Sequence, residues 1–197
     1  MSSGWWWLAL AAGVVLVAWY LTFVATRLDR LHRRVEGAAA TLDVQLLRRS
    51  QEAVEVSVSG VLDPASAALL HAAAGRAASS LQVDLVREQE RPLSRLAGMP
   101  SEREVAESQL SQTLRSTLGP VEVEVLVQPL VQSLAQACHL TQLARRLHND
   151  AAVAAIAVRR KRVVRWLRLA GSAPMPRTVE FDDQPPASLR SPGVPGG

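Results

Sequence analysis

Cysteine, lysine and aromatic side chains are all scarce in this chain of 197 residues, and each scarcity excludes something. A single cysteine, Cys138, rules out an internal disulfide framework and a multi-cysteine zinc site. Lys161 is the sole lysine, so nearly all the cationic charge behind the net +4 is arginine. Aromatic residues are 4% of the chain, so a core must be built from Leu, Val and Ala, which favours helices over a sheet. The chain contains no phosphate-cradling G-x-x-x-x-G-K-[ST] loop, no G-x-S-x-G elbow, no G-x-G-x-x-G fingerprint, no H-E-x-x-H pair and no Nudix-type glutamate box. His32, His71, His139 and His148 lack metal-ligand spacing. Cys138 and His139 are neighbours, but consecutive helical residues point about 100° apart, so Cys138 reads as core rather than nucleophile. Glu102, Glu104 and Glu107 suit a helix N-terminal dipole better than acid–base chemistry. The expectation is no enzyme, no cofactor, no metal site and no small-molecule substrate.

Charge is also missing from Trp5 to Ala25, and here the absence is the signal. At 1.5 Å per residue this run spans roughly 30 Å, about one hydrocarbon core. Trp5, Trp6 and Trp7 stand at one end, and Trp19 and Tyr20 lie towards the other, as rings that prefer the two interfaces do. A cleaved signal peptide would carry a basic n-region and a shorter apolar core. Residues 1–4 carry no charged side chain, so the reading is a transmembrane helix over 5–25. Arg27, Arg30, Arg33 and Arg34 follow it and nothing basic precedes it, which predicts an N-terminus outside and the bulk of the chain cytoplasmic.

Beyond the apolar run the helical period continues without a visible break. Leu28, Leu31, Val35, Ala38, Leu42, Leu46, Ala53 and Val56 recur at three- and four-residue steps, predicting one helix to about Ser59. Gly60 and Asp63-Pro64 mark a turn, with Asp63 as N-cap of a second helix running to about Glu90. Pro92, Gly98 and Pro100 break the chain again, and Ser101 with Glu104 has the capping-box spacing for a third helix closed by Gly119-Pro120. Residues 121–127 alternate every second position, and a loop or helix start is favoured because no other strand is available to pair. A long last helix is expected from Pro129 to Leu169, with Leu130, Leu134, Cys138 or Ala137, Leu140, Leu147, Ala151, Ala154 and Val158 near one face. Six prolines after Gly171 and a Gly-Gly end predict a mostly disordered tail over 171–197. The fold class is all-α: an N-terminal transmembrane helix, then an antiparallel bundle of about four long helices over 26–170.

Three short blocks carry a family likeness: Leu42 to Arg49 (LDVQLLRR), Leu143 to Asp150 (LARRLHND) and Phe181 to Asp183 (FDD). On these the chain resembles the LemA family, membrane-anchored proteins with a helical-bundle domain and no established biochemical activity. The likeness spans roughly residues 20–183, yet only these blocks are specific. His148-Asn149 stands where the family commonly has Tyr-Asn, and residues 60–125 match in periodicity alone. The resemblance implies architecture far more than activity.

Two groups of residues are candidates for function. The end of the last helix packs Arg159, Arg160, Lys161, Arg162, Arg165 and Arg168 around Trp166. In an up–down bundle this end returns to the membrane beside Arg27 to Arg34, where cations meet an anionic leaflet at about 1 kcal/mol each. The bland alternative is a solvated basic face suited to a helix C-terminus. Nucleic acid is not expected, because no recognition fold accompanies the charge. Second, Arg48 lies 21 residues past Arg27, roughly 32 Å, and Asp150 lies 19 residues before Leu169, roughly 29 Å. Equal height predicts a polar layer joining Arg48 or Arg49 to Asn149 or Asp150, unless the two are unrelated surface patches. The overall expectation is a non-catalytic interaction module at the membrane surface, its partner an unidentified protein or a second copy. A self-associating structural membrane protein is the alternative.

Overall fold

The computed structural model describes residues 3–90, 97–119, 129–160 and 174–189. Among these the chain is helical, with no strand. Helix α1 covers Ser3–Val58, α2 Pro64–Glu90, α3 Ser101–Leu118 and α4 Pro129–Arg159. A 3-10 turn lies at Ala187–Leu189. The alternating stretch 121–127 and the continuation to Leu169 expected for the last helix lie outside the described residues.

The periodic stripe on α1 is the spine of the core. Leu28, Val35, Leu42, Leu46, Ala53 and Val56 are buried, with Leu31 and Ala38 packed beside them. Helix α1 packs on both α4 and α2, and α2 packs on α3. Contacts between α1 and α4 join Leu28 to Val158, Val35 to Ala151 and Ala155, and Leu42 and Leu46 to Ala144, so one number rises as the other falls. At the end far from the apolar run, all four helices share one apolar cluster. There Ala53 and Val56 join Leu70, Ala73, Ala74 and Ala77 of α2, Leu110, Leu114 and Leu118 of α3, and Val131, Leu134 and Cys138 of α4. Nearer the apolar run, the apolar clusters among the described residues join α1 to α4, through Leu28 with Val158 and Val35 with Ala151 and Ala155.

Local chemistry sets the corners. Helix α1 stops at Val58, and Gly60 turns the chain at φ +77°, a left-handed backbone that glycine adopts without a Cβ penalty. Asp63 then caps α2, its Oδ1 accepting the N–H groups of Ala65 (3.0 Å) and Ser66 (3.1 Å). The capping box expected at α3 does not form. Pro100 occupies the cap position with no side-chain bond, because Ser101 is already inside the helix. Glu104 instead accepts the backbone N–H of Glu180 at 3.0 Å.

Two further expectations change. On α4, Leu147 is half exposed, while Ala144, His148 and Ala155 turn inward. Small residues let α4 approach α1 closely, and the larger Leu143 and Leu147 stay outside. The stretch expected as a disordered tail is built into the fold over residues 174–189. Val179, Phe181 and Asp183 are buried, and Val179 and Phe181 pack with Leu42, Leu46, Ala144 and Met99. This strap lies along the seam between α3 and α4 and bonds to side chains of both.

Candidate functional site

The seam under the strap holds most of the buried charge. Arg49 is 1% exposed; its Nη2 meets the Glu107 carboxylate at 2.6 Å and its Nη1 donates to Ser111 Oγ at 3.0 Å. One helical turn away along α3, Arg103 donates to Asp43 at 2.7 Å and faces Asp84 at 3.8 Å. These groups tie α1, α2 and α3 in one polar layer. Burial pushes the Asp84 carboxyl above its ordinary value, outweighing Arg103 and Arg87 beside it. Beneath the strap, His148 is 1% exposed, and neither ring nitrogen hydrogen-bonds a protein side chain. Desolvation holds its pKa low, against the Arg177 backbone and Asp43. The imidazole is therefore neutral near pH 7.

The strap is held by side chains, without a backbone ladder. The Asn149 amide donates to the Val179 carbonyl (3.1 Å) and accepts the Val179 N–H (2.9 Å). Ser108 Oγ accepts the Asp182 N–H at 3.0 Å, and Gln142 donates to the Asp183 carbonyl at 3.1 Å. Arg115 clasps the Asp182 carboxylate and donates to the Gln184 carbonyl at 2.8 Å. That hydrogen bond from Arg115 holds the Asp182 carboxyl below the usual range. Arg145 grips Asp183 through two bonds, of 2.6 and 3.1 Å. The Phe181 ring lies between two guanidinium groups, 5.9 Å from Arg49 and 5.7 Å from Arg145. Gly98 lets the strap come close, since a Cβ there would sit 3.0 Å from the Arg177 Cβ.

The structure rearranges the polar layer read from the sequence. Arg49 is in such a layer, but its partner is Glu107 of α3, because Arg49 turns toward α3 and away from the outer face of α4. Asn149 pairs with Val179, Asp150 is exposed, and Arg48 is a surface residue 3.6 Å from Glu52. Sequence reasoning missed Arg103, Glu107 and Ser111. Their signal was a four-residue polar repeat on the same side of α3 as Leu110, Leu114 and Leu118. It also passed over Arg115, Arg145 and Asp182, whose partners are distant in sequence.

The basic residues near the apolar run come together only in part within the described chain. Arg27, Arg30, Arg33 and Arg34 are exposed, with Arg33 paired to Asp29. Contact of Leu28 with Val158 brings Arg159 and Arg160 to the same end. The Arg159 guanidinium is half-buried and donates to the Pro174 carbonyl, and Arg160 is exposed. Lys161, Arg162, Arg165, Trp166 and Arg168 lie outside the described residues. A cleft of about 1000 Å³ opens nearby, between the α2–α3 corner and the strap, with Asp84, Arg87, Glu104, Arg160 and Arg177 on its walls. No group of three or more His, Cys, Asp or Glu is arranged to hold a metal among the described residues. Comparison with protein-family models, with curated proteins and with solved structures returns no match.

Proposed function

We propose that this chain is a membrane-anchored, non-catalytic interaction module of LemA-like architecture. In this reading α1 crosses the bilayer once with its N-terminus outside, and an antiparallel four-helix bundle stands in the cytoplasm. One observation carries it. A single helix runs from Ser3 to Val58, its first stretch apolar and wholly outside the core, its second stretch the spine of that core. Trp5, Trp6 and Trp7 are each more than 70% exposed, which is costly in water and favourable at a headgroup interface. The three blocks on which the LemA likeness rests meet in the fold, where Phe181 lies near the guanidinium groups of Arg49 and Arg145 and Asp183 pairs with Arg145. The basic end is assigned to an anionic lipid surface, with Arg27 to Arg34 and the Arg-rich end of the last helix as contacts.

Cross-linking and co-purification of the full-length protein from its native membrane, against a form lacking residues 1–26, tests the reading. Specific proteins recovered only with the anchored form support it. Recovery of the protein alone as a defined oligomer favours the structural alternative, for which the exposed Val44, Leu47, Leu143 and Leu147 speak. Binding of the bundle to anionic vesicles that is unchanged by Arg-to-Ser changes at 159, 160, 162 and 165 removes the lipid assignment.

A further inference from the structure

The strap is bound in the way a peptide ligand is bound. Extended chain recognised by a groove needs its main-chain N–H and C=O groups met, and its side chains sorted by pockets. Both conditions hold over residues 179–184. Side chains of α3 and α4 meet the N–H groups of Val179, Glu180 and Asp182 and the carbonyls of Val179, Asp183 and Gln184. Among them the Asn149 amide, with one donor and one acceptor on the same residue, reads backbone whatever the side chain. Three positions are read for identity: Phe181 between two guanidinium groups, Asp182 on Arg115 and Asp183 on Arg145. A segment that merely finishes a core needs burial; this one has a built site, matched group by group.

We propose that the α3–α4 groove is a peptide-binding site for an extended Val-x-Phe-Asp-Asp segment, and that it accepts this segment from a second copy of the chain as well as from its own. The second copy is chosen because it carries, by identity, the peptide whose fit to this groove the strap itself displays. Geometry permits the exchange. Arg159 donates to the Pro174 carbonyl, so the described residues on either side of the 161–173 stretch lie close together. Those 13 residues can reach about 45 Å when extended, whereas two packed helices are only about 20–24 Å across. Exchange of an identical element replaces each contact with its equal, so the equilibrium is set by local concentration. Confinement to a membrane raises that concentration. The proposal therefore takes its cellular setting from the anchored-module reading, while the groove chemistry stands without it.

The test uses two differently tagged full-length copies co-expressed in membranes, one carrying Glu104→Cys and the other Glu180→Cys. Glu104 accepts the Glu180 N–H, so a short bifunctional thiol cross-linker bridges the pair only where a strap sits in a groove. Cys138 is buried, and unsubstituted protein serves as the blank. The expected result is a cross-linked species carrying both tags, reduced at least about tenfold by Phe181→Ala in the strap-donating copy. A chain carrying both substitutions that cross-links internally, with no mixed species in the co-expressed sample, overturns the proposal. A labelled peptide of residues 177–186, added to detergent-solubilised protein whose own strap carries Phe181→Ala and so leaves the groove open to competition, gives a second readout. Saturable binding that Phe181→Ala in the peptide abolishes supports the groove as a peptide site, and no binding overturns it. Peptide binding without any mixed species overturns the second copy as its source and points to another protein bearing the motif. Mixed species recovered from protein found outside the membrane leave the proposal standing and sink the anchoring reading alone.

Discussion

Arg49 and Glu107 are each about 1% exposed and 2.6 Å apart, a geometry in which the pair and its parts behave differently. Two charges taken together out of water roughly offset their desolvation, whereas one left behind is uncompensated. Arg49→Met alone, or Glu107→Leu alone, is expected to cost about 3–5 kcal/mol. The double substitution is expected to cost far less than the sum, and a double-mutant cycle in urea reads the difference. His148 has a different consequence. Its folded-state pKa lies below the ordinary value near 6.5, so the unfolded chain takes up the proton first. The stability of its neutral form is fully present above about pH 6.5 and is lost as pH falls through the depressed folded value. His148→Leu is therefore expected to flatten the fall in urea midpoint between pH 7.5 and 5.5. His32, also depressed, by burial first and Arg159 next, keeps part of that fall in both proteins.

Among the elements, the strap holds the sharpest prediction. Phe181 is buried with Val179 against Leu42, Leu46 and Ala144, so Phe181→Ala is expected to destabilise the protein by about 3 kcal/mol. Glu180→Gln changes an exposed side chain and is expected to leave the melting temperature within about 1 °C. Circular dichroism melts of both variants check this. The strap was also the hardest element to read. Helices announce themselves through local periodicity: α1 and α3 end, and α2 begins, within about a residue of the sequence reading because Gly60, Asp63-Pro64 and Gly119 act locally. An extended segment satisfied by Asn149, Arg115 and Arg145 has no period, and its prolines imitate disorder. The reading of α4 slipped for a related reason: Leu147 looks like core and His148 does not, yet contact with α1 favours the smaller face. Arg49 was legible as a layer residue, while Glu107 was hidden by its plainer role as an acid near a helix start.

For the whole molecule, the division of α1 makes the bundle independent of its first turns. Among the described residues no buried one precedes Leu28, and Val24 packs beside it. A form lacking residues 1–26 is expected to stay soluble and to unfold in one cooperative transition, as gel filtration and a thermal melt will register. The same uninterrupted helix has a mechanical side. Residues 27–58 extend about 48 Å beyond the apolar stretch with no hinge between them. Bilayers of different thickness are met by tilting the spanning helix. In the anchored-module reading proposed above there is no joint at the membrane, and a ten-degree change of tilt would swing the far end of α1 by about 8 Å, as a lever whose fulcrum is the headgroup layer.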